Sequence, residues 1–447
     1  MITTYILVTW IKREFMNYYN LGSRSIVTSF SDAVIQGIAP DRSLYFPERI
    51  PQFSVDLLKN IADIPLIELA IEAMTPFTSP DLTKEELRLI LENTLDFEFP
   101  LVEIGSHYTL ELFHGPTLAF KDVGARFMAQ CLGKFSGQKN WSTKTTVLVA
   151  TSGDTGGAVA NGFLGVEGVD VVILFPEGKI SEVQELQMTT LGQNITALEV
   201  KGSFDDCQSY VKSAFVDKDL ISHRRLTSAN SINVARWLPQ MLYYFAAYQN
   251  LRKLGDQRTP VFSVPSGNFG NICAGMMAKE IGLPLERFIA ATNVNDTVVR
   301  YLNSKVYAPK PTTPTLSNAM DVSDPSNFIR IEELFKKQEL ERVIKAYRFD
   351  DSQTLEAMKH LFKEYGYVAD PHGAIGYLGL EAAPIDSSSE VGIFLETAHP
   401  VKFDGAVKKA IDIDVVAPES VKRLRSLQKV SKKIESYTDL KDLLSSN

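Results

Sequence analysis

The spacing of apolar positions changes along this chain, and the changes divide it into regions. From Ser29 to about Asn93 apolar residues recur at helical spacing, interrupted by Pro40, Pro47 and Pro51. Within that region Lys84-Glu85-Glu86-Leu87-Arg88-Leu89-Ile90-Leu91, after the turn Ser79-Pro80-Asp81, predicts an amphipathic helix. The middle of the chain differs. Thr145-Thr146-Val147-Leu148-Val149-Ala150 and Val169-Asp170-Val171-Val172-Ile173-Leu174-Phe175 are short, nearly continuous apolar runs, separated by a Gly/Ser/Thr turn and a helical stretch. Such runs predict buried strands of a parallel sheet joined by crossover helices. Pro260-Val261-Phe262-Ser263-Val264, a glycine-rich turn and the helical stretch from Ile272 to Ile281 repeat the arrangement. Asn303 to Asn327 is rich in Pro, Thr, Ser and Asn and reads as a long surface excursion. A charged helical stretch from Ile331 to Tyr365 follows, and Val391-Gly392-Ile393-Phe394-Leu395 returns to the sheet. The expected fold class is α/β: a small helical N-terminal domain over 16–95, then a parallel-sheet core over 96–447 with an inserted excursion and helices at about 301–365.

Composition narrows the function classes. A chain of 447 residues with 45% hydrophobic and 22% charged residues is globular and long enough for about two or three domains. The net charge of -8, with no basic run, argues against a nucleic-acid binder. An acidic protein that binds an anion must do so with local donors. Cys131, Cys207 and Cys273 are widely spaced and odd in number, which suggests neither a disulfide framework nor a zinc site and points to a reducing, cytoplasmic compartment. No apolar stretch approaches the roughly 20 residues that span a bilayer. The apolar segment before Lys12 and Arg13 has its charges on the wrong side for a signal peptide and lacks a cleavage site. Met16 is an alternative start, and residues 1–15 are expected to carry no function.

Five segments carry candidate chemistry. His114-Gly115-Pro116-Thr117-Leu118-Ala119-Phe120-Lys121-Asp122 is a turn that delivers a lysine as a helical pattern begins. An ammonium is a poor nucleophile at neutral pH and becomes a better one where an apolar pocket or a nearby cation favours the neutral amine, so Lys121 is a candidate imine former. The alternative is a solvated lysine at a helix start. Pro265-Ser266-Gly267-Asn268-Phe269-Gly270-Asn271 follows a strand and opens a helix, where glycines and free N–H groups suit a phosphate. It is neither a GxGxxG nor a P-loop. Thr151-Ser152-Gly153-Asp154-Thr155-Gly156-Gly157 also follows a strand. Its single Asp-Thr-Gly lies in a βαβ context, unlike the paired triplets of aspartic proteases, and its hydroxyls and N–H groups suit a carboxylate, or simply cap the helix through Ser152 or Asp154. Ser228-Ala229-Asn230-Ser231-Ile232-Asn233-Val234-Ala235-Arg236 gathers polar donors around one arginine, fit for a second phosphate or a plain polar loop. Glu396-Thr397-Ala398-His399-Pro400-Val401-Lys402-Phe403 leaves a strand at its carboxyl end, where open α/β sheets bind ligands. His114 and His399 lack a carboxylate at motif spacing and read as structural or positioning residues.

Taken in this order, from Met16-Asn17-Tyr18-Tyr19 and Gln36-Gly37-Ile38-Ala39-Pro40-Asp41 onward, these segments resemble the threonine synthases, pyridoxal-phosphate enzymes of the tryptophan-synthase-β fold type, also called fold type II. The resemblance covers nearly the whole chain. It implies that Lys121 forms the imine with pyridoxal 5'-phosphate and later shuttles a proton, and that Gly267, Asn268, Phe269, Gly270 and Asn271 cradle the cofactor phosphate. It places Asp154 near the pyridine 3'-oxygen, where many relatives of the fold have asparagine, and Thr397 on the pyridine nitrogen. Thr151, Ser152 and Thr155 would hold the substrate carboxylate, and Ser231, Asn233 or Asn230, and Arg236 the substrate phosphate. The implied reaction converts O-phospho-L-homoserine and water to L-threonine and phosphate in a monomer or homodimer, with no metal, nucleic acid or membrane. The competing readings are a phospho-lyase or hydroxy-amino-acid dehydratase yielding 2-oxobutyrate, and a non-catalytic binding protein that retains the fold.

Overall fold

A computed structural model describes residues 16–139, 144–335 and 337–446. The expected N-terminal extension, 1–15, lies outside the described residues. Two parallel sheets dominate. In the first, the order is Ile344–Arg348, Phe288–Thr292, Thr259–Pro265, Glu390–Glu396, His107–Glu111 and Leu101–Ile104, all neighbours parallel except the last pair. In the second, the order is Lys432–Ile434, Ile195–Val200, Val169–Pro176, Thr145–Ala150 and Arg225–Thr227, all parallel. The continuous apolar runs read from sequence are the central strands: every residue of Thr145–Ala150 is buried, because helices cover both faces.

The helix Leu242–Lys253 is buried on nearly all sides. The side chains of Trp237, Tyr243 and Tyr244 are wholly enclosed around its start. Tyr244 meets Phe262 and Phe288 edge-on at ring separations of 4.8 and 5.8 Å, which ties this helix to the first sheet. The helix Lys121–Gln138 packs against Asp154–Phe163, so the candidate lysine and the candidate carboxylate site begin neighbouring helices.

Three expectations need correction. The N-terminal region is not purely helical: Phe30–Gln36, Val55–Lys59, Leu66–Thr78 and Lys84–Thr94 are joined by an antiparallel sheet in the order Val27–Thr28, Tyr18–Asn20, Tyr45–Pro47. Aromatic side chains at Tyr18, Tyr45 and Phe46 are all buried there and favour extended backbone, and Pro47 closes the edge strand. The helix Lys84–Thr94 begins with a reciprocal cap between Thr83 and Glu86. Next, the charged stretch from Ile331 to Tyr365 is broken by the strand Ile344–Arg348, which pairs along Phe288–Thr292. Its charged positions suit an edge strand, and tertiary pairing overrides helical spacing. Lastly, the excursion over 303–327 does not stay on the surface. Ser317, Met320 and Asn327 are buried, and the turn Asn318–Met320 reaches back to the phosphate-type loop.

Candidate active site

Lys121 is aimed by its own turn. Leu118 adopts a left-handed φ of 59°, a strained conformation for a branched side chain that costs about 1 kcal/mol or more. Two backbone bonds hold that turn to the strand exit: Phe120 N–H donates to the Thr397 carbonyl at 2.9 Å and His399 N–H to the Leu118 carbonyl at 3.0 Å. The Tyr243 hydroxyl donates to the Phe120 carbonyl, and Asp122 accepts from the N–H and hydroxyl of Thr117. Lys121 therefore points into a cleft of about 1330 Å³ that also reaches both anion-type loops. That volume exceeds the roughly 300–1,000 Å³ of ordinary small-molecule pockets, enough for a cofactor and a substrate together.

Every site residue expected from sequence lines this cleft except Asn233. Asn233 is fully buried beneath it, where its oxygen caps the helix Val234–Trp237 at Ala235 N–H and its amide donates to the Val34 carbonyl at 2.9 Å. The helix Asp154–Phe163 is not capped by Ser152 or Asp154; the Thr151 hydroxyl instead accepts from Gly153 and Gly156 N–H, each at 2.9 Å. That leaves its single proton free to donate. Gly153 has φ of 135°, and a Cβ there would meet the Gln184 side chain at 2.3 Å, so only glycine fits.

The loop Gly267 to Asn271 fits a phosphate on three observations. Its backbone N–H groups donate to no acceptor among the described residues. Phe269 turns left-handed, φ 59°, which aims successive N–H groups toward one side at the start of Gly270–Glu280. The buried Asn271 Nδ2 has no partner. A Cβ on Gly267 would meet Met320 Cα at 2.7 Å, so the excursion closes directly over the loop. Asn268 donates to the Ser231 hydroxyl at 2.6 Å, coupling the two anion-type loops, and Asn327 donates to the same hydroxyl at 3.2 Å. These donors fit the phosphate of pyridoxal phosphate, and a lysine amine stands in the same cleft to bind its carbonyl carbon.

The charges are as unusual as the shape. Burial lowers the Lys121 ammonium to about 8; Asp154 opposes that shift, while Lys402 and Arg236 add to it. Burial alone would raise Asp154, but Lys402 and Lys121 more than offset it and hold its carboxyl well below the usual range. Arg236 is buried with one donor on the Ala229 carbonyl and its Nε unpartnered, and it pairs with no carboxylate among the described residues. Arg330, also buried, spends its guanidinium on the carbonyls of Tyr45 and Ile232 and on Asn327 Oδ1, and stacks over Trp237 at 4.4 Å. Of the two, Arg236 is the one that presents its cation at the cleft wall.

Sequence reading assigned no role to two buried residues, one behind the cleft wall and one in it. Lys402 is wholly buried and ion-pairs with Asp154 at 2.8 Å. His372 Nδ1–H donates to Asp370 Oδ1 at 2.6 Å, while its buried Nε2 lacks a partner at the cleft wall. Asp154 is far from Lys402 in the chain, so local sequence could not pair them, whereas Asp370 stands two residues before His372 and was a signal left unread. His114 pairs with Glu111 at 2.7 Å, and His399 Nδ1 accepts from Val401 N–H at 3.1 Å, so both are engaged in local structure. The three cysteines are free and buried, and among the described residues no helix is long and apolar enough to cross a membrane.

Two parallel sheets flanking a lysine and a phosphate-type loop define a fold-type II pyridoxal-phosphate dependent enzyme. Residues 103–396 match the family described as pyridoxal-phosphate dependent enzymes, 17–95 the threonine synthase N terminus, and 374–443 the threonine synthase C-terminal family. The chain is 44% identical to threonine synthase of Haemophilus influenzae, over 94% of this chain and 97% of that one. It is 43% identical to the Escherichia coli protein of the same name, over 91% and 94%. The crystal structure of Escherichia coli threonine synthase superimposes with a TM-score of 0.89 at 41% identity, covering 96% of this chain and all of the other. The pyridoxal-phosphate-bound threonine synthase of Brucella melitensis also gives 0.89, at 33% identity and covering 96% and 99%. The chain belongs to the threonine synthase family, and its cofactor is pyridoxal phosphate.

Proposed function

We propose that this protein converts O-phospho-L-homoserine and water to L-threonine and phosphate. The observation that carries the reading is Arg236: a guanidinium buried in the cleft wall with no carboxylate partner. Burial outweighs the favourable charge of Asp122 at Arg236, and a substrate phosphate offsets that cost where an unphosphorylated hydroxy-amino acid does not. In this reading Arg236, Ser231 and Asn230 hold the substrate phosphate, and Thr151, Ser152 and Thr155 donate to the α-carboxylate. The N–H groups from Gly267 to Asn271 hold the cofactor phosphate, Asp154 lies beside the ring's 3'-oxygen, and the Thr397 hydroxyl meets the ring nitrogen as a neutral partner.

Bound pyridoxal phosphate supplies the electron sink that stabilises negative charge at the substrate's α-carbon. The chain's residues manage protons and geometry. Lys121 would hold the cofactor covalently and, once its amine is free, would accept the α-proton at Nζ. The β-proton would pass to the departing phosphate as the γ-carbon–oxygen bond breaks, and that phosphate would stay within reach of Arg236. Lys121 Nζ is also placed to return a proton at the γ-carbon before water adds at the β-carbon, and to release threonine.

We further infer that residues 16–95 and 96–447 act as an N-terminal domain and a catalytic core, and that the protein works in the cytoplasm as a monomer or homodimer, without nucleic acid or membrane. The buried thiols and the acidic net charge of -8 support that setting. The deciding experiment incubates the protein with O-phospho-L-homoserine and measures phosphate, threonine and 2-oxobutyrate together. Threonine and phosphate in equal amounts are expected; phosphate with 2-oxobutyrate alone overturns the assignment in favour of a phospho-lyase.

A further inference from the structure

Lys402 belongs to the strand-exit segment that carries Thr397 and has no role in holding substrate, yet it is a fully buried lysine paired with Asp154 of the cleft wall. It leaves the turn Pro400–Phe403, just past the strand Glu390–Glu396 of the first sheet. Its partner Asp154 begins the helix that follows Thr145–Ala150 of the second sheet. Their 2.8 Å ion pair thus crosses from one sheet's loops to the other's. Lys402 also donates to the Thr117 carbonyl at 2.9 Å, within the turn that aims Lys121. Gln184 holds Asp154 Oδ1 from a third side at 2.9 Å.

We propose that Lys402 is a positioning residue for Lys121: by occupying Asp154 in an ion pair, it denies Lys121 that carboxylate and leaves the Lys121 amine able to be neutral. The argument rests on what surrounds Lys121. The charged groups acting on it are Asp154 from the helix after the second sheet's central strand, Lys402 from the turn after the first sheet, and Arg236 from the polar loop. Asp154 is the single anion among them. Without Lys402 a buried carboxylate would have Lys121 as its nearest remaining cation of this set, and a buried charge does not remain unpaired when a proton can settle the matter. Lys121 would then be held as ammonium and could not attack a carbonyl. A neutral residue in place of Asp154 would make Lys402 unnecessary for this purpose, so the two positions compensate each other. The proposal rests on Lys121 being the covalent anchor of the cofactor.

The test uses the full-length protein stripped of cofactor. Lys121 is methylated with formaldehyde and cyanoborohydride from about pH 6 to pH 10, a range that brackets the lowered and ordinary lysine values, and its modification is counted by peptide mass spectrometry. Lys402→Met is expected to raise the pH midpoint of Lys121 by about one unit or more, Asp154→Asn to lower it, and the double variant to return it close to wild type. An unmoved midpoint in Lys402→Met, or a double variant that follows Lys402→Met, overturns the proposal. If Lys402→Met does not fold, Asp154→Asn and the double variant decide alone: a lowered midpoint in Asp154→Asn that returns close to wild type in the double variant supports the ion pair's role, and an unmoved Asp154→Asn overturns it. A purely structural lysine would change thermal stability and leave these midpoints in place. In parallel, borohydride reduction of the cofactor-loaded protein locates the pyridoxyl group. Its appearance on another lysine refutes the anchor assignment, a failure distinguishable from an unmoved midpoint.

Discussion

The amide of Phe120 donates to the carbonyl of Thr397 at 2.9 Å, and this bond sets the candidate anchor lysine beside the candidate ring partner. Ala119 and Ala398 form an antiparallel bridge in the same place, so the lysine turn and the strand exit behave as one short ribbon. Because Thr397 leaves the strand Glu390–Glu396 and Lys121 starts a helix against the second sheet, a shift between sheets would move both residues together. The relationship makes Thr397 testable separately from the lysine. Thr397→Val keeps the branched shape and the backbone bond but removes the hydroxyl. It is expected to retain the visible absorption of the bound cofactor while kcat falls about tenfold, the effect of losing one hydrogen bond. Spectra and steady-state rates on one preparation check this.

Arg236 should govern recognition of the phosphate rather than of the amino acid. Arg236→Met is expected to lower kcat/KM for O-phospho-L-homoserine about a hundredfold or more, since a buried charge contact to an anion is worth at least about 2–3 kcal/mol. Cofactor binding, read from its absorption, should be little changed. The discriminating measurement is inhibition by phosphate and by L-homoserine: only the phosphate effect should vanish.

The lowered Lys121 value predicts a pH profile. With the folded group at about 8 against an ordinary 10.5, the neutral amine increases as pH rises through about 8. The rate at which cofactor-stripped protein regains the cofactor's visible band should therefore climb with a midpoint at about pH 8 and level off about one to two pH units above it. The stability effect has the same direction. Between the two values the unfolded chain binds more protons than the folded one, so this group's contribution to stability rises with pH across that window. Stopped-flow absorbance and urea unfolding of the stripped protein measure the two halves.

Gly124 lies one turn along the Lys121 helix against Arg236. A Cβ there would meet the Arg236 carbonyl at 2.7 Å and its Nε at 3.1 Å. Alanine ordinarily favours a helix by about 1 kcal/mol over glycine. Here the backbone contact should reverse the sign, and Gly124→Ala is expected to destabilise the protein by about 1–3 kcal/mol, as overpacking does. A lowered Tm with a raised KM for the phosphorylated substrate is the expected pair of readings.

Much of the site was legible because its parts are local. Glycine-rich turns after apolar runs, at Thr151 to Gly157 and at Gly267 to Asn271, carry their chemistry in consecutive residues, and the lysine turn announces itself by Gly115-Pro116. The charged stretch before Tyr365 misled because helical spacing in sequence is overridden when an edge strand finds a partner, here Ile344 beside Phe288. Asn233 misled for a related reason. A short polar side chain in a donor-rich loop serves equally to cap the next helix, and only its surroundings decide between the two.

By itself, then, the sequence determined the alternation of buried strands and helices, the loops that suit anions and the lysine that starts a helix, since each is written in neighbouring residues whose backbone preferences and hydrogen-bonding groups act over a few positions. Tertiary structure alone decided that Lys402 meets Asp154, that the excursion closes over Gly267, and that Arg236 has no carboxylate partner. Those facts depend on burial and on charges brought together from distant parts of the chain, and electrostatic effects grow strong only where packing has removed the water.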